Sequence, residues 1–180
     1  MRRTIWIVDG AYLESSSPHR FDYLRLKTWL EEQSGEEFVD SYYVNSANSN
    51  SSKSHESFHA WLKTAPPQGP RMRVKMYAIK ESSCICPKCG HGFTRRVQKG
   101  VDVAIATLIV KLAAQDQYDR LVFSAGDGDF EDAAAFVRDE CHKELWVTGF
   151  PDTVSPDLQS YANRMIWLDE VWESIRRTDA

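Results

Sequence analysis

The chain has 180 residues, of which 42% are hydrophobic and 27% are charged. These are the proportions of an ordinary globular domain, which excludes a disordered or fibrous protein. No apolar run approaches the roughly 20 residues that span a bilayer, and the first residues lack the apolar core of a secretory signal peptide. We therefore expect a cytoplasmic protein without membrane contact.

The net charge of −4 conceals a basic segment. Residues 71–99 contain eight Lys or Arg and one Glu, whereas residues 100–180 contain seven Lys or Arg and sixteen Asp or Glu. A local basic segment in an acidic chain predicts a local contact with an anion. The alternative is a basic loop that is simply solvated.

Apolar runs typical of strands alternate with helical patterns along the chain. We expect strands at residues 4–8, 38–45, 71–80, 121–123, 144–148 and 165–168. We expect helices at residues 23–34, 56–63, 103–114, 131–141, 157–162 and 169–177, the first capped by Asp22 and ended by Gly35. This alternation predicts an α/β fold with a mostly parallel central sheet covered by helices on both faces.

Carboxylates stand at three predicted element ends. Asp9 follows the first strand, Asp127 and Asp129 follow the strand at 121–123, and Asp102 begins a helix. The carboxyl ends of parallel strands meet at one edge, so these side chains are expected to converge. Close carboxylates raise one another's pKa unless a cation lies between them, and hard divalent cations prefer oxygen ligands. The alternative is that Asp102 only favours a helix start and that Asp9 only occupies a turn.

A second cluster lies in the Cys-Ile-Cys-Pro-Lys-Cys-Gly-His run at residues 84–91. Cys86 and Cys89 have the spacing of a zinc knuckle, and the glycine after them permits a tight turn. The other two ligands could come from Cys84 and His91, or from the more distant Cys141 and His142. Free thiols and a redox pair are the alternatives. Phe93 either stacks on a base or packs beside the loop.

Three motifs together resemble a known family: Ile-Val-Asp-Gly at residues 7–10, Lys-Gly-Val-Asp-Val-Ala at 99–104 and Gly-Asp-Gly-Asp-Phe at 126–130. They resemble the NYN domain, specifically the LabA-like branch of the PIN-like nucleases. The resemblance implies a single domain over residues 1–180 with a PIN-like, Rossmannoid three-layer α/β/α fold. It also implies a small Cys-rich, basic insert at residues 81–98, which relatives often carry and which supports a structural Zn²⁺.

The implied function is hydrolysis of RNA by a carboxylate cluster that holds Mg²⁺ or Mn²⁺. The catalytic and metal-binding residues are then Asp9, Asp102, Asp127 and Asp129, with Ser124 and Tyr12 in supporting positions. The residues expected to contact substrate are Lys99, Arg95, Arg96, Lys88, Arg73 and Lys75. The expected partner is RNA, single-stranded or structured, with other nucleic acids as a further possibility, and a domain of this size is compatible with a homodimer.

Two positions depart from the family pattern. Tyr12 stands where the family usually has Asn, and Leu108 stands where it usually has Asp; a leucine cannot coordinate a metal. The site would then hold one metal where relatives hold two, or hold it weakly. A catalytically weak or inactive RNA-binding module is therefore the alternative function. A phosphatase acting on small molecules is disfavoured because the basic segment exceeds what one phosphate needs.

Overall fold

The computed structural model describes residues 2–47, 53–78, 80–97 and 100–177, and for residues 80–82 and 95–97 it describes the backbone alone. The strands within these ranges are β1 Thr4–Asp9, β2 Asp40–Ala47, β3 Arg73–Ala78, β4 Lys80–Ile85, β5 Gly92–Val97, β6 Arg120–Ser124, β7 Glu144–Gly149 and β8 Arg164–Trp167. The helices are α1 Gly10–Ser16, α2 Tyr23–Ser34, α3 Lys53–Lys63, α4 Val101–Ala114, α5 Glu131–Ala135, α6 Pro156–Tyr161 and α7 Trp172–Ile175. A 3₁₀ turn precedes α5, and a wider helical turn follows it.

Six strands form one parallel sheet in the order β3-β2-β1-β6-β7-β8. The chain first builds outwards from β1 to β3, and then returns to the other side of β1 and continues to β8. This is the strand order of a doubly wound α/β fold, whose direction reverses between β1 and β6. The predicted fold class is confirmed.

The two faces of the sheet carry separate apolar cores, because successive side chains of a strand point to opposite faces. Ile5 and Ile7 of β1 lie on the face covered by α4, α5 and α6. Trp6 and Val8 lie on the face covered by α2, α3 and α7. Every residue of β1 is buried, as expected for a central strand with helices on both sides.

The ends of α2 follow from local chemistry. The Asp22 side chain accepts hydrogen bonds from the backbone N–H groups of Leu24 (2.8 Å) and Arg25 (3.2 Å). Gly35 adopts a left-handed conformation with φ of 74°, and its N–H donates to the carbonyls of the last turn. Both predicted ends of this helix are confirmed.

Three elements differ from expectation. The first is α1, which begins directly after β1 where the sequence suggested only a turn. The second is α7, which ends at Ile175 because the following backbone pairs with the segment before α2: Arg177 N–H donates to the Arg20 carbonyl at 3.2 Å. The third is the antiparallel hairpin of β4 and β5 in the Cys-rich segment. None of the described helices has the length and apolar character needed to cross a membrane.

Candidate functional site

The reversal of strand order between β1 and β6 marks the edge where doubly wound folds bind ligands. Asp9 is the last residue of β1, and β6 ends at Ser124, three residues before Asp127. Val8 and Ser124 are register partners, so the carboxyl ends of the two strands lie side by side. The tertiary fold thus brings Asp9 and the 126–130 motif to one place although they are more than a hundred residues apart.

Asp9 is buried, with 7% of its surface exposed. Its carboxylate caps α1 by accepting the backbone N–H of Tyr12 at 3.1 Å. Burial raises the pKa of the Asp9 carboxyl to about 6; the bond from Tyr12 opposes the rise, and the charges of Asp102 and Asp127 add to it. Asp9 therefore has a local capping role and is also within electrostatic reach of two other predicted carboxylates.

Asp102 lies in the first turn of α4, after Gly100, whose φ of 95° suits glycine. Although its side chain is accessible, partial burial raises its pKa, and the charges of Asp127 and Asp129 raise it further. A helix N-terminus favours negative charge, so α4 partly offsets this repulsion. The start of α4 thus lies beside the 126–130 turn.

Asp127 and Asp129 belong to the 3₁₀ turn before α5. The Asp127 carboxylate accepts the backbone N–H of Asp129 at 3.0 Å, which fixes the turn, and both side chains are exposed. The charge of Asp127 raises the pKa of both Asp9 and Asp102, and the charge of Asp129 raises the pKa of Asp102. The geometry brings them to a single edge of the sheet.

A cleft of about 530 Å³ opens beside this edge. It is lined by Asp102, Val103, Ala106, Gly128, Asp129, Glu131 and Asp132. The sequence analysis did not identify Glu131 and Asp132 as site residues and placed them only in a predicted helix. The sequence did contain an indication of their position, because they directly follow the 126–130 motif. Side chains in the first turn of a helix lie near the loop that precedes it.

Tyr12 supports the site through its backbone. Its hydroxyl lies 2.7 Å from the Thr153 hydroxyl and accepts the backbone N–H of Phe150 at 3.1 Å. The side chain therefore connects α1 to the loop after β7. Burial raises the pKa of the Tyr12 hydroxyl, so it is a neutral structural group at physiological pH.

Ser124 and Leu108 both make contacts that stabilise the fold. The Ser124 hydroxyl accepts the Trp6 indole N–H at 2.9 Å and lies 2.6 Å from the Thr148 hydroxyl, so its hydrogen bonds join strands of the sheet. Leu108 is buried in the core between α4 and the sheet. At this position the chain contributes apolar packing where the family pattern has a carboxylate.

The glycines of the 126–130 motif have a packing reason, because the loop after β7 approaches them closely. A Cβ at Gly126 would lie 2.2 Å from the Thr153 carbonyl and 2.4 Å from the Tyr12 ring. A Cβ at Gly128 would lie 2.9 Å from the Ser155 hydroxyl. The loop after β7 packs directly on the motif, and Ser155 N–H donates to the Gly126 carbonyl at 2.7 Å.

Two of the predicted basic contacts, Arg73 and Lys75, lie two residues apart on β3, and both lie over the Tyr42 ring. Lys75 pairs in register with Val44, which pairs with Asp9, so Lys75 lies in the same cross-sheet row as Asp9. Its ammonium lies 5.8 Å from the centroid of the Tyr42 ring. Arg73 lies towards the amino end of β3, forms an ion pair with Asp40 at 2.8 Å and lines a groove of about 420 Å³ at that opposite edge.

The remaining predicted contacts belong to the Cys-rich segment. Lys88 is exposed in the turn of the β4–β5 hairpin. Arg95 and Arg96 lie in β5, and their side chains are outside the described part of the structure, as is the whole of Lys99. The hairpin therefore carries basic residues, and the described contacts do not place them against the carboxylates.

No group of three His, Cys, Asp or Glu side chains in the described ranges comes close enough to hold a metal ion. Within those ranges, the predicted zinc set of Cys84, Cys86, Cys89 and His91 does not form such a group. The carboxylates of the predicted aspartates lie farther apart in the described structure than the ligands of one metal ion do, as expected for like charges that repel. Their all-oxygen chemistry nevertheless fits Mg²⁺ or Mn²⁺.

Comparison with solved structures identifies a similar fold in a Vibrio parahaemolyticus RIMD 2210633 protein of unknown function, VPA0982. The TM-score is 0.68 and the identity 20%, and the match covers 94% of each chain. A Sir2 structure with a p53 peptide and NAD⁺ has a TM-score of 0.44 and 9% identity over 96% of this chain and 90% of its own, too low to support any inference. No curated protein matches the chain.

A family model describes nearly the whole chain. The model of the NYN domain matches residues 3–169, which include all six strands of the parallel sheet and the four predicted aspartates. The strand order, the reversal point and the carboxylates gathered there agree with that match. The chain therefore belongs to the NYN domain family, whose domain is part of the PIN-like nuclease superfamily.

Proposed function

We propose that this protein is a metal-dependent ribonuclease that hydrolyses phosphodiester bonds in RNA. The observation that carries the proposal is the convergence of Asp9, Asp102, Asp127 and Asp129, from three distant segments, at the reversal point of the sheet. Local capping accounts for Asp9 and Asp127 taken singly, but the repulsion among four carboxylates at one edge costs free energy. A bound cation would offset that cost.

We assign Asp9, Asp127 and Asp102 as the residues that hold Mg²⁺ or Mn²⁺, with Asp129 either as a further ligand or as an acceptor that orients water. When bound, such an ion supplies charge stabilisation at the phosphate and lowers the pKa of a coordinated water. The protein's own contribution is to fix the carboxylates: the Tyr12 N–H holds Asp9, and the Asp129 N–H holds Asp127. Glu131 and Asp132, which line the cleft, are added as candidates for water-bridged contacts.

The basic segment supports RNA as the substrate. Lys75 is exposed and lies in the cross-sheet row of Asp9, which suits contact with a phosphate that flanks the scissile one. The basic residues of the hairpin extend this contact to a longer, single-stranded or structured RNA. We assign the chain to the LabA-like branch on the motif pair at residues 99–104 and 126–130.

A second function is favoured by specific observations. Leu108 fills a core position, the Tyr12 hydroxyl is bound by Thr153 and Phe150, and no described trio of ligands is in coordinating distance. These features suit a module that binds RNA and cleaves it weakly or not at all. The two functions share the basic surface and differ in whether the carboxylates complete a metal site.

One assay separates them. Wild type and Asp127→Asn are incubated with labelled RNA and Mn²⁺ or Mg²⁺, and cleavage and binding are measured together. Asparagine keeps the oxygen that accepts the Asp129 N–H, so the turn survives while the charge is lost. We expect cleavage by the variant to fall roughly 100-fold or more, with RNA binding retained.

The matched control is Asp139→Asn, at an exposed carboxylate in the helical turn after α5. It should cleave like wild type. Unchanged cleavage by Asp127→Asn would contradict the assigned site, and binding without cleavage by wild type would favour the second function. Hydrolysis of a small phosphate monoester without cleavage of RNA would contradict both.

A further inference from the structure

A second pocket, of about 510 Å³, opens between α1, the beginnings of α2 and α3, and the tail after α7. Its lining combines aromatic side chains, two arginines and one carboxylate: Phe21, Tyr23, Phe58, Arg20, Arg177 and Glu14. None of these residues lines the acidic cleft beside Asp102. The pocket is therefore a separate candidate site.

The pocket lies towards the carboxyl edge of the sheet. Parallel strands are joined by helices that return from the carboxyl edge to the amino edge, so Tyr23, the first residue of α2, is on the carboxyl side. The ring centroids of Tyr23 and Tyr43 are 5.7 Å apart. A Cβ on Gly10, the residue after Asp9, would lie 2.5 Å from the Tyr43 ring. The Tyr43 ring thus stands between Tyr23 and the residue that follows Asp9.

The pocket and the acidic cleft lie on opposite faces of the sheet at this edge. Tyr23 and Tyr43 belong to the core on the face of α2 and α3, whereas α4, which carries Asp102, covers the other face. Asp9 lies between them at the end of β1. A strand of RNA that crosses the edge at Asp9 can therefore contact the cleft on one side and the pocket on the other.

Backbone pairing brings the two arginines of the pocket together. Arg177 N–H donates to the Arg20 carbonyl at 3.2 Å, in the same pairing that ends α7. Both side chains are exposed, and neither forms an ion pair within the described ranges. The neighbouring Arg176, by contrast, is paired with Glu173 at 2.8 Å. Two guanidinium groups without a carboxylate partner suit a phosphate, which arginine can bind through two parallel hydrogen bonds.

The aromatic wall of the pocket suits a nucleobase. The Tyr23 ring centroid lies 4.7 Å from that of Phe21 and 5.7 Å from that of Phe58. Aromatic side chains stack on any base, because every base has a π face. Tyr23 is 4% exposed, and its hydroxyl has no hydrogen-bond partner among the described residues. An unpaired buried hydroxyl costs free energy, which a polar group of a bound base would offset.

We propose that this pocket binds one nucleotide of the RNA, beside the scissile phosphate, with its base against Phe21 and Phe58 and its phosphate at Arg20 and Arg177. The inference rests on the proposed function, since RNA is taken as the substrate. The one carboxylate of the lining, Glu14, accepts the Tyr43 hydroxyl, and the two arginines leave the lining with a net positive charge.

The first test measures binding of a labelled single-stranded RNA by fluorescence anisotropy, with a chelator present so that no RNA is cut. Arg20→Ala and Arg177→Ala should each weaken binding about 5-fold and lower the slope of log affinity against log salt by about 0.7, the value for one contact with a single strand. The matched control is Arg176→Ala, at the adjacent paired arginine, which should change both quantities less.

The second test places the fluorescent base 2-aminopurine in the RNA, because stacking quenches its emission. Phe58→Leu keeps an apolar side chain and should lose the quenching that wild type shows. Phe136→Leu, at a half-buried phenylalanine on the other face, is its control. Tyr23→Phe should weaken RNA binding without lowering the melting temperature of the free protein, since the hydroxyl has no partner to lose.

Free adenosine monophosphate is the last probe, and it should compete with the RNA for wild type more strongly than for Arg177→Ala. An Arg177→Ala protein that binds RNA as wild type or Arg176→Ala does would overturn the proposal. If Arg177→Ala lost only the binding of adenosine monophosphate, the pocket would belong to a free nucleotide and the RNA assignment would be wrong. Absence of RNA cleavage would contradict the proposed function without changing these binding readouts, so the two failures are distinguishable.

Discussion

The backbone N–H of Tyr12 donates to the Asp9 carboxylate at 3.1 Å, while the hydroxyl of the same residue accepts the backbone N–H of Phe150. Tyr12 thus joins the buried aspartate to the end of β7, on the other side of the strand-order reversal. The position of Asp9 therefore depends on α1, which carries the Tyr12 backbone N–H, and on the loop after β7, which binds the Tyr12 hydroxyl. This relationship leads to predictions about stability as well as activity.

The first prediction concerns Asp9→Asn in metal-free protein. The pKa of Asp9 rises from 3.8 to about 6 on folding, so the folded protein holds this proton more tightly than the unfolded chain. Stability should therefore fall as pH rises from about 4 to about 6 and stay lowered above it. Asparagine has no charge to bury, so Asp9→Asn should raise the free energy of unfolding at pH 8 by about 1 to 3 kcal/mol. A shift of one pKa unit corresponds to about 1.4 kcal/mol.

Urea unfolding with a chelator, at pH 4.5 and pH 8, measures this effect. The gain should shrink at the lower pH, and Asp139→Asn, which removes an exposed carboxylate outside the site, is the control. Added Mn²⁺ should stabilise wild type and not Asp9→Asn, because only a protein that binds the ion gains from it. Equal stability of wild type and Asp9→Asn at pH 8 would show that Asp9 carries no buried charge.

The second prediction is that Tyr12→Phe destabilises the fold more than it affects chemistry. Loss of the hydroxyl leaves the Phe150 N–H without its acceptor, which costs about 1 to 2 kcal/mol. The Asp9 carboxylate keeps its bond, because that donor is backbone. Tyr161→Phe, at a half-buried tyrosine in α6, is the matched control for thermal unfolding. A loss of cleavage without a loss of stability would assign the hydroxyl to the reaction.

The third prediction tests the packing reason for the motif glycine. Gly126→Ala would place a methyl group against the Thr153 carbonyl and the Tyr12 ring and should lower the free energy of unfolding by about 3 kcal/mol. The control is Gly92→Ala, because a Cβ there meets nothing within 4 Å. Denaturant titration compares the two variants. If Gly126→Ala were as stable as wild type and impaired only in RNA binding, close approach of a ligand would be the correct reason.

The fourth prediction separates the two basic residues of β3. Lys75→Ala should weaken RNA binding and reduce the slope of log affinity against log salt by about 0.7, the value for one contact with a single strand. Arg73→Ala should change the slope less, since Arg73 already forms an ion pair with Asp40. Fluorescence anisotropy at several salt concentrations measures both. Equal slopes for the two variants would remove Lys75 from the substrate path.

The sequence predicted well wherever local chemistry decides the structure. Apolar runs located the six parallel strands to within two or three residues, and Asp22 and Gly35 marked both ends of α2. The predictions were poorer where the structure of one segment depends on contact with a distant segment. The length of α7 depends on backbone pairing with the segment before α2, and the role of Gly126 depends on a loop about 27 residues later.

The candidate site shows the same difference between features that depend on local sequence and features that depend on distant contacts. Residue type and position at element ends indicated which aspartates converge, because parallel strands share an edge. The hydrogen bonds of Ser124 could not be predicted, since they depend on Trp6 and Thr148 of neighbouring strands. The closeness of Glu131 and Asp132 to Asp102 also requires the packing of α5 beside α4.

By itself, the sequence determined the α/β alternation, the acidic strand ends and the paired cysteines, because each depends on a local pattern. Only the tertiary structure decided that β1 and β6 are neighbours, that Asp9 is buried with a raised pKa, and that Cys86 and Cys89 lack a third ligand in the described chain. The physical reason is that burial, charge coupling and coordination depend on distances between segments, which no local pattern specifies.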